Sequence, residues 1–397
     1  MRVTDFAVRP ASPSIRETAA VFLRLGTTAF GGPAAHIALM EDEVVTRRGW
    51  LSREQFLDYL GATNLIPGPN STELAIHIGL ARHGLLGLAI AGGCFIAPAA
   101  LIVTAIAWAY ARYGTLPAVV AVFNGITPVV LAVIAQALWK LGQSAIKSLA
   151  LAVVALLSVV ALGAGAHELA VLLVAGCICG LMTATTRVRN ALVLAAVSWA
   201  RVAMNAGALD VGVAATASAP FSLWTLFTVF AKIGSVLFGS GYVLVAFLRA
   251  DFVDRLGWIT ERQLLDAIAV GQVTPGPVFT TATFVGYLVG GLSGAIVATL
   301  GIFLPAFAFV AISGPLVPRI RESRVAGAVL DGVNVASLAL VAVVTWDLGR
   351  RSFVGIVPAL IGVAALVALV RYRINAVWLV AGGAIVGLIV NASAFRP

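Results

Sequence analysis

Apolar positions run along this chain in stretches close to membrane-crossing length, as in Leu85–Tyr110, Leu116–Leu138 and Val377–Val390. A spanning helix needs about 20 apolar residues. The pattern predicts an all-α integral membrane protein, with six apolar segments in each of two halves. In the first half they cover roughly 17–39, 54–80, 85–110, 116–139, 148–164 and 168–183, and the second is interrupted at Pro67-Gly68-Pro69.

The halves are recognisable because the chain repeats itself. Phe30–Thr72 aligns without gaps on Phe238–Thr280, matching Phe30-Gly31 to Phe238-Gly239, Gly49-Trp50 to Gly257-Trp258 and Pro67-Gly68-Pro69 to Pro275-Gly276-Pro277. Gln55 and Asp58 fall on Gln263 and Asp266, and Arg24 on Lys232. After a one-residue slip, Asn124-Gly125 meets Asp331-Gly332 and Trp139 meets Trp346. The repeats are placed at 16–183 and 224–391, joined by 184–223.

Composition agrees: 60% of the residues are hydrophobic and only 11% charged, against roughly a quarter charged in soluble domains. The basic N-terminus has no apolar core of a signal peptide. The net charge of +9 is read as loop Lys and Arg that set topology, not as a nucleic-acid surface. With the N-terminus inside, Arg82, Lys140, Lys147, Arg187 and Arg189 fall inside. In the second half the basic loops change sides, at Arg319, Arg321, Arg324, Arg371 and Arg373. This predicts inverted topology, reached by an extra span at Asn190–Ala206 or by re-entrant PGP segments with five crossings per half. Arg350 and Arg351 then fall outside, against the rule. Cys94, Cys177 and Cys179 lie in apolar segments with no second Cys/His pair, so neither a metal site nor a cofactor is expected.

Inverted repeats with broken helices are the architecture of secondary transporters, with sites near the midplane. Two prolines around a glycine cannot continue a helix, and the helix restarting after them offers unpaired amides and a positive dipole end. The expected anion site therefore comprises Pro67, Gly68, Pro69, Asn70, Ser71 and Thr72 with Pro275, Gly276, Pro277, Thr280 and Thr281. The Gly31-Gly32 and Gly239-Ser240 breaks would add exposed backbone, the alternative being close helix packing. Arg24 and Lys232 sit inside apolar runs, where a dianion would be a natural partner; snorkelling to the interface is the alternative. His36, Glu73 and His77 are the candidate couplers, present in one half only. Ser52 and Thr260, each followed three residues on by glutamine, predict capping boxes, and Asp58 and Asp266 would complement the dipoles of those helices.

The paired FGG/FGS, GW-(L/I)-(S/T)-x-x-Q and PGP elements resemble the chromate ion transporter family in its long-chain, two-domain form, over nearly the whole chain. The resemblance implies proton-driven export of chromate, with sulfate as a competitor, from the bacterial cytoplasm across the inner membrane. It carries over to Phe30, Gly31, Gly32, Pro33, Gly49, Trp50 and Pro67–Pro69, and to Phe238–Gly241, Gly257, Trp258 and Pro275–Pro277. Phe-Gly-Ser-Gly in the second half departs from strict FGGP. The expected partners are the oxyanion and lipid, with a homodimer compatible and no nucleic acid. A passive anion channel or a sulfate-type transporter are the alternatives. No nucleophile elbow, P-loop or HExxH helix marks an enzyme.

Overall fold

Helix α1 (Ile15–Thr28) stops just before the first glycine-rich break, and α2 (Gly32–Glu41), continued by a π-helical turn over Asp42–Arg47, runs back beside it. The computed structural model describes residues 14–30, 32–183, 220–238, 241–313, 323–353 and 355–391. Gly31, Gly239, Ser240, the topology-setting Arg187, Arg189, Arg319 and Arg321, and the expected extra span at Asn190–Ala206 lie outside these. The return of α2 is marked by charge. Arg24 pairs with Glu43 and Glu17 with Arg48, a ladder that antiparallel neighbours form. The segment 17–39, expected as one crossing, is therefore a hairpin.

A second hairpin follows. Ser52 caps α3 (Arg53–Thr63): its hydroxyl accepts the Gln55 N–H, and the Gln55 side chain accepts the Ser52 N–H at 3.0 Å, the capping box expected from sequence. After Pro67–Pro69 the chain enters α4 (Asn70–Tyr113), 44 residues long but not one rod. His83 and Gly84 leave the helical region, Gly84 with φ of +61°. A Cβ on Gly79 would touch Ala91, which a straight helix would hold about 18 Å away. The arm 70–82 thus folds back on 85–113. At roughly 20 Å that first arm is too short to cross a 30 Å hydrocarbon core. Arg82 lies over the Trp50 ring at 3.7 Å, and Thr18 bonds His83 at 3.0 Å. Both hairpins therefore have their open ends together and their tips at the two glycine-proline breaks.

Helices α5 (Pro117–Ala145), α6 (Leu149–Gly163) and α7 (Glu168–Thr183) complete the half. The second half repeats the series as α8 (Leu223–Val236), α9 (Val243–Leu248) with a π-helical turn over Arg249–Arg255, and α10 (Glu261–Val273). A 3-10 turn at Val278–Thr280 leads into α11 (Thr281–Ser313), then α12 (Arg324–Ser352), α13 (Ile356–Arg371) and α14 (Ala376–Asn391). The second capping box, Thr260 with Gln263, also forms. Helix α11 bends at Gly290-Gly291 as α4 does at His83-Gly84, and Thr283 bonds Thr299 across the bend at 2.8 Å. No strand occurs among the described residues.

The halves are interlaced. Helices α6 and α7 pack on α12 of the second half, and α13 and α14 pack on α5 of the first. Helix α5 runs antiparallel to α12, with Gly142 facing Leu338 while Lys147 reaches back to Asp331 at 2.9 Å. Close approach depends on glycine: a Cβ on Gly125 would strike the backbone of Gly383 and Gly387. Gly125→Ala is expected to lower the melting temperature of the purified protein, through an overpacking cost of about 1–3 kcal/mol. Gly163→Ala, where nothing lies within 4 Å of the added carbon, should leave it unchanged.

The outward faces are apolar: Leu149 is 83% exposed, Ile356 78% and Trp378 74%. In water such faces would be an aggregation surface; in lipid they are solvated. Four helices, Asn70–Tyr113, Pro117–Ala145, Val278–Ser313 and Arg324–Ser352, are long and apolar enough to cross a bilayer, α4 and α11 through their second arms. The chain is a multi-pass membrane protein. Arg350 and Arg351, which on sequence fall against the charge rule, both pair with Asp347, at 2.8 and 3.6 Å.

Candidate functional site

The tips of the four hairpins meet between the halves. Both PGP glycines adopt positive φ, +140° at Gly68 and +85° at Gly276, where an L side chain is strained. Each tip is then held by the opposite half: the Gly68 N–H donates to Leu237 O at 2.8 Å, and the Gly276 N–H to Ala29 O at 3.0 Å. This corrects the expectation that those two amides are free for an anion. They join the PGP tip of one half to the glycine-rich break of the other.

Beyond the tips, new helices begin. Pro69 O accepts the N–H groups of Thr72 and Glu73, at 2.8 and 3.0 Å, which leaves Asn70 and Ser71 as first-turn amides without an intrahelical acceptor. Thr280 N–H bonds Pro277 O at 3.0 Å, and Val278 and Phe279 occupy the corresponding first turn. Pro69, Asn70 and Ser71 line one cavity of about 800 Å³ together with Pro277, Val278 and Phe279. Gly32, Pro33 and Gly241 line it as well, and Lys140, Arg373, Gln136, Gln272 and Asn375 stand in its wall. Two helix N-termini and two cations converging on one space form an arrangement that attracts anions.

The side chains near the tips divide into engaged and unengaged groups. His36 is buried between Ala29 O, 3.1 Å from Nε2, and the Ser71 hydroxyl, 3.3 Å from Nδ1. Since Ala29 O also accepts from Gly276, one short network ties together three breaks. Thr280 and Thr281 hydroxyls donate to Pro277 O and Val278 O, both at 2.8 Å, and so stabilise their own turn. Asn70 bonds Asn64 at 2.8 Å. By contrast the Thr72 hydroxyl, both Glu73 carboxylate oxygens and His77 Nε2 are buried with no hydrogen-bond partner. Glu73 is completely buried, and its carboxylate lies where a Cβ on Gly68 would project. The His77 ring stacks on Tyr59 with centroids 5.7 Å apart. Pro67 and Pro275 precede the two tip glycines, Pro67 half-buried and Pro275 buried, and neither lines the cavity.

Arg24 and Lys232 are elsewhere. Arg24 is paired with Glu43, which also takes Arg48 at 2.6 Å. Lys232 is paired with Asp251 at 2.6 Å, and Asp251 with Arg255 at 2.9 Å. Each cation therefore has a protein acid at the same place in both halves, rather than a dianion. The acids carried a signal in the sequence: Glu43 and Asp251 are separated by the same 208 positions as Arg24 and Lys232. Asp266 also differs from expectation. It is buried, 1% exposed, and accepts a 2.6 Å hydrogen bond from Tyr110 of the first half, a partner the dipole expectation did not include. Lys140 and Arg373, which on sequence serve only as topology charges, are the cations that face the cavity.

Among known proteins, the sequence profile of the family described as Chromate transporter matches residues 16–181 and 224–388. A chromate transport protein of Cupriavidus metallidurans is 32% identical over 385 residues, covering 95% of this chain and 93% of the relative. One from Pseudomonas aeruginosa is 34% identical over 356 residues, covering 88% and 85%. A probable chromate transport protein of Synechococcus elongatus is 32% identical over 374 residues, 91% of each chain. No solved structure matches. Two profile regions, each over one copy of the tip-forming series, together with full-length similarity to three chromate transport proteins, assign the chain to the chromate transporter family.

Proposed function

We propose that this chain is a secondary transporter that exports chromate, or a similar tetrahedral dianion, across the bacterial inner membrane in exchange for protons. The observation that carries the reading is the single cavity shared by the helix starts after both PGP tips, with Lys140 and Arg373 in its wall. A dianion there meets first-turn amides of Asn70, Ser71, Val278 and Phe279 and two cations, with no acid among the described lining residues. Charge and donor geometry select a tetrahedral oxyanion over a cation, while chromate and sulfate, equal in charge and close in shape, are separated only weakly.

The two halves are inserted with opposite topology in this reading. It is supported by α5 running antiparallel to its counterpart α12. Each half then begins with two re-entrant hairpins, and the extra span that inversion needs is the one expected at Asn190–Ala206, outside the described residues. The repeats extend over 16–183 and 224–391. The cavity opens to the face that carries the end of α5, the inner face by the excess of Lys and Arg. Glu73 is the proton carrier: it is completely buried and neither carboxylate oxygen has a hydrogen-bond partner, and an ionisable group at such a place is a default functional candidate; His77 lies one turn further along α4.

Radiolabelled chromate and sulfate flux in reconstituted vesicles, with and without an imposed pH gradient, tests the reading. Gradient-driven accumulation of chromate is expected. Flux that only equalises concentrations, and is indifferent to the gradient, would replace the carrier with an anion channel.

A further inference from the structure

At one place the halves carry opposite charges. Glu41, Arg53 and Lys140 of the first half fall opposite Arg249, Glu261 and Asp347 of the second, by the same offsets that align the rest of the repeat. In the second half all three side chains meet. Arg249 pairs with Asp347 and lies 3.0 Å from Glu261. Arg351 reinforces the group, 3.3 Å from Glu261. This fastens the α9–α10 hairpins to the crossing helix α12. In the first half only the hairpin pair forms, Arg53 to Glu41 at 3.4 Å. Lys140 has no acid partner among the described residues and stands in the cavity wall.

Packing differs in the same sense. Helix α9 lies on α12, and α10 lies on α5 and α14, whereas α2 and α3 make no comparable contact with α5, α12 or α7. Burial follows from this: Leu57 is 47% exposed and its counterpart Leu265 5%, and Leu39 is 39% exposed and its counterpart Phe247 0%. One half is latched to the crossing helices; the other stands away from them and leaves the cavity open.

We infer that Glu41 and Lys140 form a second gate, the charge-reversed counterpart of the Arg249–Asp347 gate, and that the two close in alternation. Related halves of an inverted repeat can exchange conformations, which yields the state open to the opposite face. After that exchange α2 lies on α5, Glu41 takes the Lys140 ammonium with Arg53 alongside, and Arg249 releases Asp347. At a given separation and dielectric, attraction depends on the product of the charges, so a cation between two acids and an acid between two cations can both serve as latches. The inference rests on the carrier reading, since a permanently open channel needs no alternation.

Cross-linking tests it without using substrate. In a background with Cys94, Cys177 and Cys179 replaced by alanine, Glu41→Cys with Lys140→Cys is treated in native membranes with a short bis-thiosulfonate reagent. The linked peptide is quantified by mass spectrometry. Linking is expected to be low in this background, and to rise about tenfold when Asp347→Asn removes one partner of the opposite gate. Arg249→Gln, which loosens that gate from its other side, should act alike, so a folding defect in either variant is recognisable. Linking indifferent to both substitutions overturns the inference. Flux that ignores the pH gradient while linking responds as expected would instead count against the proton-coupled reading alone.

Discussion

Glu73→Gln is expected to abolish pH-gradient-driven accumulation of chromate while leaving exchange of labelled for unlabelled chromate in place. Glutamine keeps the size of the side chain and removes the site that gains and loses a proton. The surroundings suit a proton carrier, because no part of Glu73 reaches the surface and neither carboxylate oxygen has a partner. It also stands beside the Gly68 tip, which is bonded across to Leu237 of the other half. A change in charge at Glu73 is therefore felt where the halves are joined. Its counterpart Thr281 is occupied with Val278 O, so the first half alone can carry a proton at this place. Each coupled proton, at a pH difference of one unit, supplies about 1.4 kcal/mol, or roughly tenfold in accumulation. The glutamine variant should bring that ratio to about one. Loss of exchange together with accumulation, in protein still present in the membrane, would instead mean that Glu73 holds the fold or the anion.

The second large effect is a contrast between two alanine substitutions at equivalent glycines. Gly276→Ala should unfold or strongly destabilise the protein, because the added carbon would lie 2.7 Å from Ala99 Cβ and 3.1 Å from Gly26 O at a φ of +85°. Left-handed strain of about 1–2 kcal/mol adds there to overpacking against helix and backbone that cannot move aside. Gly68→Ala also carries backbone strain at a φ of +140°, but its added carbon meets the flexible end of Glu73 and, more loosely, Ala306. It should assemble and melt closer to the parent, yet lose gradient-driven flux because it displaces the carboxyl. Thermal melting in detergent, read beside vesicle flux, separates the two outcomes. Equal melting temperatures for both variants would contradict the asymmetry of the tips.

Much of this architecture was legible in the chain. The PGP and glycine-rich breaks interrupt apolar runs at equal spacing, and both capping boxes form where Ser52 and Thr260 stand three residues before glutamine. These are local signals, set by residues close in sequence. The turn of α1 onto α2 was not legible, because the apolar segment 17–39 has the length of a crossing. The partner of Arg24 was marked only by the repeat: Glu43 lies nineteen positions away, in a π-helical turn that helical spacing does not anticipate. The role of Lys140 depended on a cavity assembled from α4, α5 and residues past 370. The exchange of helices between halves leaves no mark at all in hydropathy, since any apolar face suits any other.

That exchange bears on how the protein can be made. A half produced alone would insert α6 and α7 with nothing of its own to hold them, because their bed is α12. Two halves expressed as separate polypeptides should therefore protect one another from degradation and co-purify, each donating its last pair of helices. The order of synthesis matters too: the first half waits in the bilayer, incompletely packed, until the ribosome has delivered the region around Val333.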